Sequence, residues 1–350
     1  MNALPRVLLL ALLAAPLAAQ DLPAPGQVAE RLTARADTTQ AYALYLPAAY
    51  SADRTWPVLF LMDPRGRALV PLGLFREASE RHGFVLMSSY NTLSDADSAT
   101  QINERALTAL LEEAQDRIAL DPRRLYLAGF SGTARISWSF ADRLRPYVAG
   151  VVGVGAGLPG NTEIMMAVLR DAQPFAFFGT AGELDFNHDE MRALDEALDA
   201  TPVPHRFVWF DGGHSWPPAA VATEAGDWLH LRAIAAGLAP PDSPFVAAQL
   251  AARLERARAL EAESPADALA EYRSAAADFA GLGDVGPALR RAAELERSGA
   301  VRRTLARRAE LARRALEFQV ILHEVLAEIR TGEVPPPERA AERLRLARLR

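Results

Sequence analysis

The 350-residue chain contains no cysteine and no lysine, so all 38 of its basic residues are arginine. Without cysteine there is no thiol nucleophile, no disulfide and no Cys-ligated zinc or iron–sulfur site. The missing lysine excludes a Ser-Lys dyad, a lysine Schiff base to a cofactor and a P-loop lysine. Positive charge is also in deficit, with 44 acidic residues and a net charge of −6. Such a chain offers no basic field to a phosphate backbone, which argues against nucleic acid and for a small-molecule or polymer substrate. The side chains left for catalysis are Ser, His, Asp, Glu and Tyr.

Long apolar runs are scarce as well. The exception is at the start, where Val7 to about Ala15 follows Arg6 and precedes the small residues Ala18 and Ala19. That order predicts a secretory signal over residues 1–19, cleaved after Ala19, with the mature protein in the periplasm or outside the cell. A membrane anchor is the competing reading, but the run falls short of the roughly 20 apolar residues that a spanning helix needs. With no cysteine to acylate, the mature chain is not a lipoprotein.

What is present is a chain half apolar, enough for one large core and a second, smaller unit. Over residues 20–237, short β-rich runs alternate with helical stretches, which predicts an α/β fold with a mostly parallel sheet covered by helices on both faces. Strands are expected at 41–47, 57–62, 84–90, 124–130, 148–154, 175–180 and 206–212. Several are continuously apolar, as strands buried on both faces should be. Leu107, Leu110, Leu111, Ala114 and Ile118 form one stripe of an intervening helix. The segment 238–244, LAPPDSP, reads as a linker. Residues 245–350 are rich in Ala, Leu, Arg and Glu and predict an all-α C-terminal domain. Within it, DALAEYRSAAADFAGLGD has the spacing of a tetratricopeptide-like helix pair, although no clean 34-residue period repeats.

The strongest local signal is LYLAGFSGTAR, an apolar strand running through Gly129-Phe130-Ser131-Gly132-Thr133 into a helix. A serine on a sharp strand-to-helix turn is lifted above the sheet as a nucleophile. Serine is weak at neutral pH and needs a base, which in turn needs a carboxylate to fix its tautomer. In this topology the order is Ser, then acid, then His. His214, in DGGHSWPP just past the last strand, fits; His82 reads as a surface residue at a helix end, His230 and His323 lie in helices, and His205 leads into a strand. In GELDFNHDEM, Asp185 is the favoured acid, with Glu183 and Asp189 as competitors. His188, Asp189 and Glu190 also read as a metal cluster, but consecutive residues cannot all face one ion. The alternative for the triad is ordinary structure: a turn serine, a helix-capping aspartate and a loop histidine.

An oxyanion hole needs two N–H donors. Gly132 supplies one, and the DPRGR loop after the strand at 57–62 supplies the other. Pro64 has no N–H, so Arg65 is the expected donor and Gly66 the next; the competing reading pairs Asp63 with Arg65 to shape the loop. Tyr90, Asn91, Trp216 and Met165 are expected to line the substrate pocket, with packing under the loop as the alternative for Trp216 and helix core for Met165 and Met166. The segment between the strands at 148 and 175 is too short for an elaborate lid, so the helical tail is expected to shape one rim of the site.

Taken together, YALYLPAAY with WPVLFLMDPRGR, GFSGTAR, GELDFN and FDGGHSWPP resemble the esterase branch of the α/β-hydrolase superfamily. The likeness is to secreted predicted esterases grouped near feruloyl esterases and polyhydroxyalkanoate depolymerases, and it runs from about Gln40 to Gly237. It implies ester hydrolysis through an acyl-enzyme, with Ser131, Asp185 and His214 as the triad and no metal or organic cofactor. Two departures stand out. Thr133 replaces the last glycine of G-x-S-x-G, and its branched side chain should crowd the first helical turn and either slightly open the elbow or be compensated by a small facing residue; DPRG replaces the HGGG-type oxyanion loop. A serine peptidase of the same fold, and a non-catalytic scaffold whose tail binds a protein partner or a second copy, are the competing functions.

Overall fold

The computed structural model describes residues 22–94, 99–159, 175–330 and 339–344. The proposed signal segment and Met165 and Met166 lie outside them. Eight strands form one sheet: β1 (Val28–Thr33), β2 (Ala41–Tyr45), β3 (Trp56–Met62), β4 (Val85–Ser89), β5 (Leu120–Phe130), β6 (Val148–Val154), β7 (Ala176–Gly182) and β8 (His205–Phe210). Their spatial order is β1-β2-β4-β3-β5-β6-β7-β8. β2 runs antiparallel to both its neighbours, and every pairing from β4 to β8 is parallel.

The alternation of side chains along each strand sorts the core into two layers. Val58, Phe60, Met62, Leu127, Val151 and Phe177 face one side, where they meet Leu107, Leu110, Ala114 and Ile118 from and just after α3 (Ala99–Arg117). Trp138 and Phe140 of α4 (Gly132–Arg143) join the same layer. Leu59, Leu61, Ala128, Val152 and Phe178 face the other side. There they meet Leu72 of α1 (Leu69–Leu74), Ala78 of α2 (Arg76–His82), and Ala225, Trp228 and Leu229 of α6 (Ala219–Ala235). Each large side chain removed from water in these layers contributes about 1.5–3 kcal/mol of burial. The expected α/β class holds, and parallel strands buried on both faces explain the unbroken apolar runs. β1 was not anticipated: VAERLT is half exposed and carries no period-two pattern.

Beyond α5 (His188–Leu198) and α6, the chain continues as α7 (Ser243–Glu263), α8 (Pro265–Asp278), α9 (Gly286–Arg297) and α10 (Gly299–Arg330). The stretch expected to be a linker is packed. Leu238 and buried Ala239 share an apolar cluster with Leu231, Ile234, Val246 and Phe279. An ionic network reinforces this joint. Arg206 of β8, 2 % exposed, pairs with Glu224 of α6 and Glu271 of α8, and Arg253 of α7 pairs with Glu271 and Asp278. His82, expected at the surface, is also buried here. Its Nε2 lies 2.6 Å from Asp227 Oδ1, and its ring stacks on His230 at 4.4 Å.

Candidate active site

The turn after β5 places Ser131 at φ 55°, ψ −128°, and it is the one non-glycine with positive φ among the described residues. A backbone held in so sparsely populated a region costs on the order of 1–3 kcal/mol and persists only where its surroundings enforce it. The Ser131 N–H donates to Val154 O at 2.8 Å. Thr133, fully buried, does more. Its hydroxyl accepts the Phe130 N–H at 3.0 Å and lies 2.7 Å from Met62 O and 2.8 Å from Phe130 O. The branched residue therefore ties the turn to β3, and a small residue faces it, since a Cβ at Gly129 would stand 2.3 Å from Thr133 O. Gly132 is needed for a close approach, since a Cβ there would stand 2.4 Å from Ser94 Cβ.

Three side chains from the carboxyl edge of the sheet meet above this turn. His214 Nε2 is 2.9 Å from Ser131 Oγ, and His214 Nδ1 is 2.9 Å from both carboxylate oxygens of Asp185. With a carboxylate on Nδ1, that nitrogen carries the proton and Nε2 accepts from the serine hydroxyl. Asp185 is itself fixed: its Oδ1 accepts the Asn187 N–H at 2.8 Å, while Asn187 Nδ2 donates to Gly155 O at 2.8 Å. Gly155, at φ 59°, leaves the room this requires, because a Cβ would lie 2.8 Å from Asp185 Oδ2 and 3.1 Å from His214 Nδ1. Phe130 and Phe186 both pack on the imidazole, with centroid distances of 4.7 and 4.2 Å. The competing acids stand elsewhere. The Glu183 backbone N–H pins the loop to Phe210 O, and Asp189 pairs with His188 at 3.5 Å.

The loop after β3 corrects the expected oxyanion donors. Arg65 N–H is spent on Asp63 Oδ1 at 2.9 Å, and Gly66 N–H on Asp63 O at 3.1 Å. The proline-restricted turn folds back onto the aspartate carboxylate, so neither amide faces the serine as a free donor. Gly132, opening α4, keeps the amide that a first helical turn leaves without an intrahelical partner. Asp63 organises this loop. Its fully buried carboxylate accepts the Arg67 N–H at 3.1 Å, Arg67 Nε at 3.0 Å and Nη2 at 2.9 Å, and the Trp216 indole at 2.8 Å. Burial pushes its pKa up, but the bonds from Arg67, Trp216 and Arg65 outweigh that and hold it below the ordinary value.

Of the expected pocket residues, Trp216 braces rather than lines the site. It is 8 % exposed, packs on Phe130 at 5.8 Å, and ties the His214 loop to Asp63. Tyr90 and Asn91 do sit past the end of β4, but they turn toward the antiparallel edge. Tyr90 Oη donates to Glu30 O at 2.7 Å, and Asn91 Oδ1 accepts the Ala41 N–H at 2.7 Å. Met165 lies outside the described residues. The metal reading at 188–190 also dissolves. Glu190 gives its oxygens to Arg135 at 2.6 Å and the Gly157 N–H at 3.3 Å, and no group of three potential ligands is found among the described residues. No helix among them is long and apolar enough to cross a membrane. The sequence reading missed Phe186 and Asn187, whereas Asp63 shapes the loop with Arg65 as the competing reading had it.

A mostly parallel eight-stranded sheet with an antiparallel second strand, helices on both faces and a strained serine on the turn after β5 defines the α/β-hydrolase architecture, here with extra C-terminal helices. No protein-family model and no curated protein matches the sequence. Among solved structures, the chain is similar to an S-formylglutathione hydrolase from Staphylococcus aureus, at 16% identity over 59% of this chain and 98% of that one, with a TM-score of 0.48. It is also similar to a ferulic acid esterase, at 17% identity over 58% and 96% of the two chains, TM-score 0.43. Fungal esterases from Rhizomucor miehei are a third likeness, at 15% identity over 59% and 84%, TM-score 0.43. At these identities the likeness concerns the fold alone.

Proposed function

We propose that this protein is a serine hydrolase of carboxylic esters, with Ser131 as nucleophile, His214 as base and Asp185 as the residue that orients it. The observation that carries the reading is the continuous chain of 2.9 Å contacts from Ser131 Oγ through His214 to Asp185, built on the one strained non-glycine turn among the described residues. As Ser131 Oγ bonds to the ester carbonyl carbon, its proton passes to His214 Nε2. The developing imidazolium is stabilised by Asp185. The Gly132 N–H is the proposed donor to the carbonyl oxygen as it becomes an oxyanion. His214 then gives the proton to the alcohol oxygen as the C–O bond breaks, leaving the acyl group on Ser131. Water then adds to the acyl carbon as it gives a proton to the same imidazole, and the imidazole returns that proton to Ser131 Oγ as the acyl C–Oγ bond breaks and the acid leaves.

Export is part of the same proposal and is supported by the Arg6-then-apolar order of residues 1–19. The function is tested by labelling with a small fluorophosphonate and by hydrolysis of p-nitrophenyl acetate. Stoichiometric labelling that disappears in Ser131→Ala is the expected result. An unlabelled wild type would overturn the reading, and faster turnover of aminoacyl amides than of aryl esters would replace ester by peptide substrates.

A further inference from the structure

Leu184, Asp185 and Phe186 alternate across one tightly held loop. Asp185 faces inward at 5 % exposure, while its two neighbours are 81% and 70% exposed. Looseness does not explain this. The Glu183 N–H donates to Phe210 O at 2.9 Å, Leu184 N–H to Gly212 O at 2.9 Å and His188 N–H to Asp185 O at 2.9 Å. The backbone course requires outward side chains at 184 and 186 but nothing about their chemistry. One exposed apolar residue is ordinary. Two at consecutive outward positions, one with its ring 4.2 Å from the His214 imidazole centroid and tilted by 37°, form an apolar surface continuous with the base.

The direction of proton transfer says which half of a substrate meets that surface. His214 Nε2 has to reach the leaving alcohol oxygen, so the alcohol passes beside the imidazole, and the acyl carbon stays on Ser131. We propose that Phe186, with Leu184, is the shelf that binds the alcohol half, and that the substrates are esters of aromatic or bulky aliphatic alcohols. This rests on the ester hydrolase reading above. An aromatic face against an aromatic ring or a branched chain gains contact area without needing a hydrogen bond, so selectivity should follow shape and apolar surface rather than polar groups.

The test varies the two halves of the ester separately. One series keeps the acetyl group and changes the alcohol from ethyl to benzyl; the other keeps ethanol and lengthens the acid. Phe186→Ala is expected to lower the ratio of kcat/KM for benzyl acetate to that for ethyl acetate about fivefold, over and above any loss common to both that comes from its packing on His214. Phe186→Leu should recover part of the difference, and all acetates share one acetyl-enzyme, so the effect belongs to acylation. Equal losses on both alcohols would make Phe186 a packing partner of His214 only and overturn the proposal, as would a loss that tracks the acid series. A wild type that does not react with the fluorophosphonate overturns the ester reading itself, a result separable from either pattern.

Discussion

Carboxylates at two places in this chain are satisfied differently. At the carboxyl edge of the sheet, Asp185 is held by an imidazole nitrogen and the Asn187 amide. At the joint between β8, α6 and the tail, Glu224, Glu271 and Asp278 are held by the guanidinium groups of Arg206, Arg253 and Arg256. Burial alone would raise the Glu224 pKa, yet Arg206 and Arg256 hold it at about 2. The joint is closed, with every charge answered by another charge. At the edge, one carboxylate answers a group that can gain and lose a proton, and His214 stays 20% exposed on its side chain.

If that contrast is right, substitutions at the two places should separate activity from stability. The largest effect is expected for Ser131→Ala, a fall in ester kcat/KM of at least about 10⁴-fold, with a urea unfolding midpoint close to wild type. Residual activity near one part in a hundred would break the comparison. Arg206→Met works the other way. It leaves Glu224 to Arg256 alone and Glu271 to Arg253 alone beside an apolar side chain, and the predicted loss is about 3 kcal/mol of unfolding free energy, while turnover per folded molecule is retained. A small change in the urea midpoint would show that the joint does not depend on its charges. Gly155→Ala lies between the two: the added Cβ presses on Asp185 and His214, and the displacement should cost about 10²-fold in kcat/KM.

The smallest effect is a pH slope. Burial first, then the neighbouring His82 and Arg124, depresses the His230 pKa from 6.5 to about 4. Between those values the unfolded chain binds the proton and the folded one does not, so stability is fully present above pH 6.5 and is lost as pH falls toward 4. His230→Phe, which keeps a ring between His82 and Phe245, should flatten the slope of unfolding free energy over that window. An unchanged slope would assign the acid sensitivity to other groups.

The order Ser131, Asp185, His214 was readable because each stands where a buried strand ends, and strand ends at the same edge of a parallel sheet converge. Continuous apolar runs such as PVLFLM and VAGVVGV announced those strands directly. What could not be read was side-chain and amide direction. Arg65 has an N–H in the expected place, but whether it is free depends on the rotamer of Asp63, which turns its carboxylate back over the loop. Tyr90 and Asn91 sit at the expected strand end and yet bond to Glu30 of β1 and Ala41 of β2, since the strands nearest them form the antiparallel edge rather than the elbow. Thr133 looked like a steric fault, because a side chain's volume is visible in a sequence and the partners of its hydroxyl are not.

The Arg206 network also has a consequence for the order of events during synthesis. Arg206 and Glu271 are 65 residues apart, so β8 leaves the ribosome well before its partner on α8 exists. Until then, packing β8 into the sheet would bury a guanidinium with part of its counter-charge missing. The last parallel strand, whose end carries the His214 loop, therefore has Glu224 alone as counter-charge for its buried guanidinium until the tail supplies Glu271.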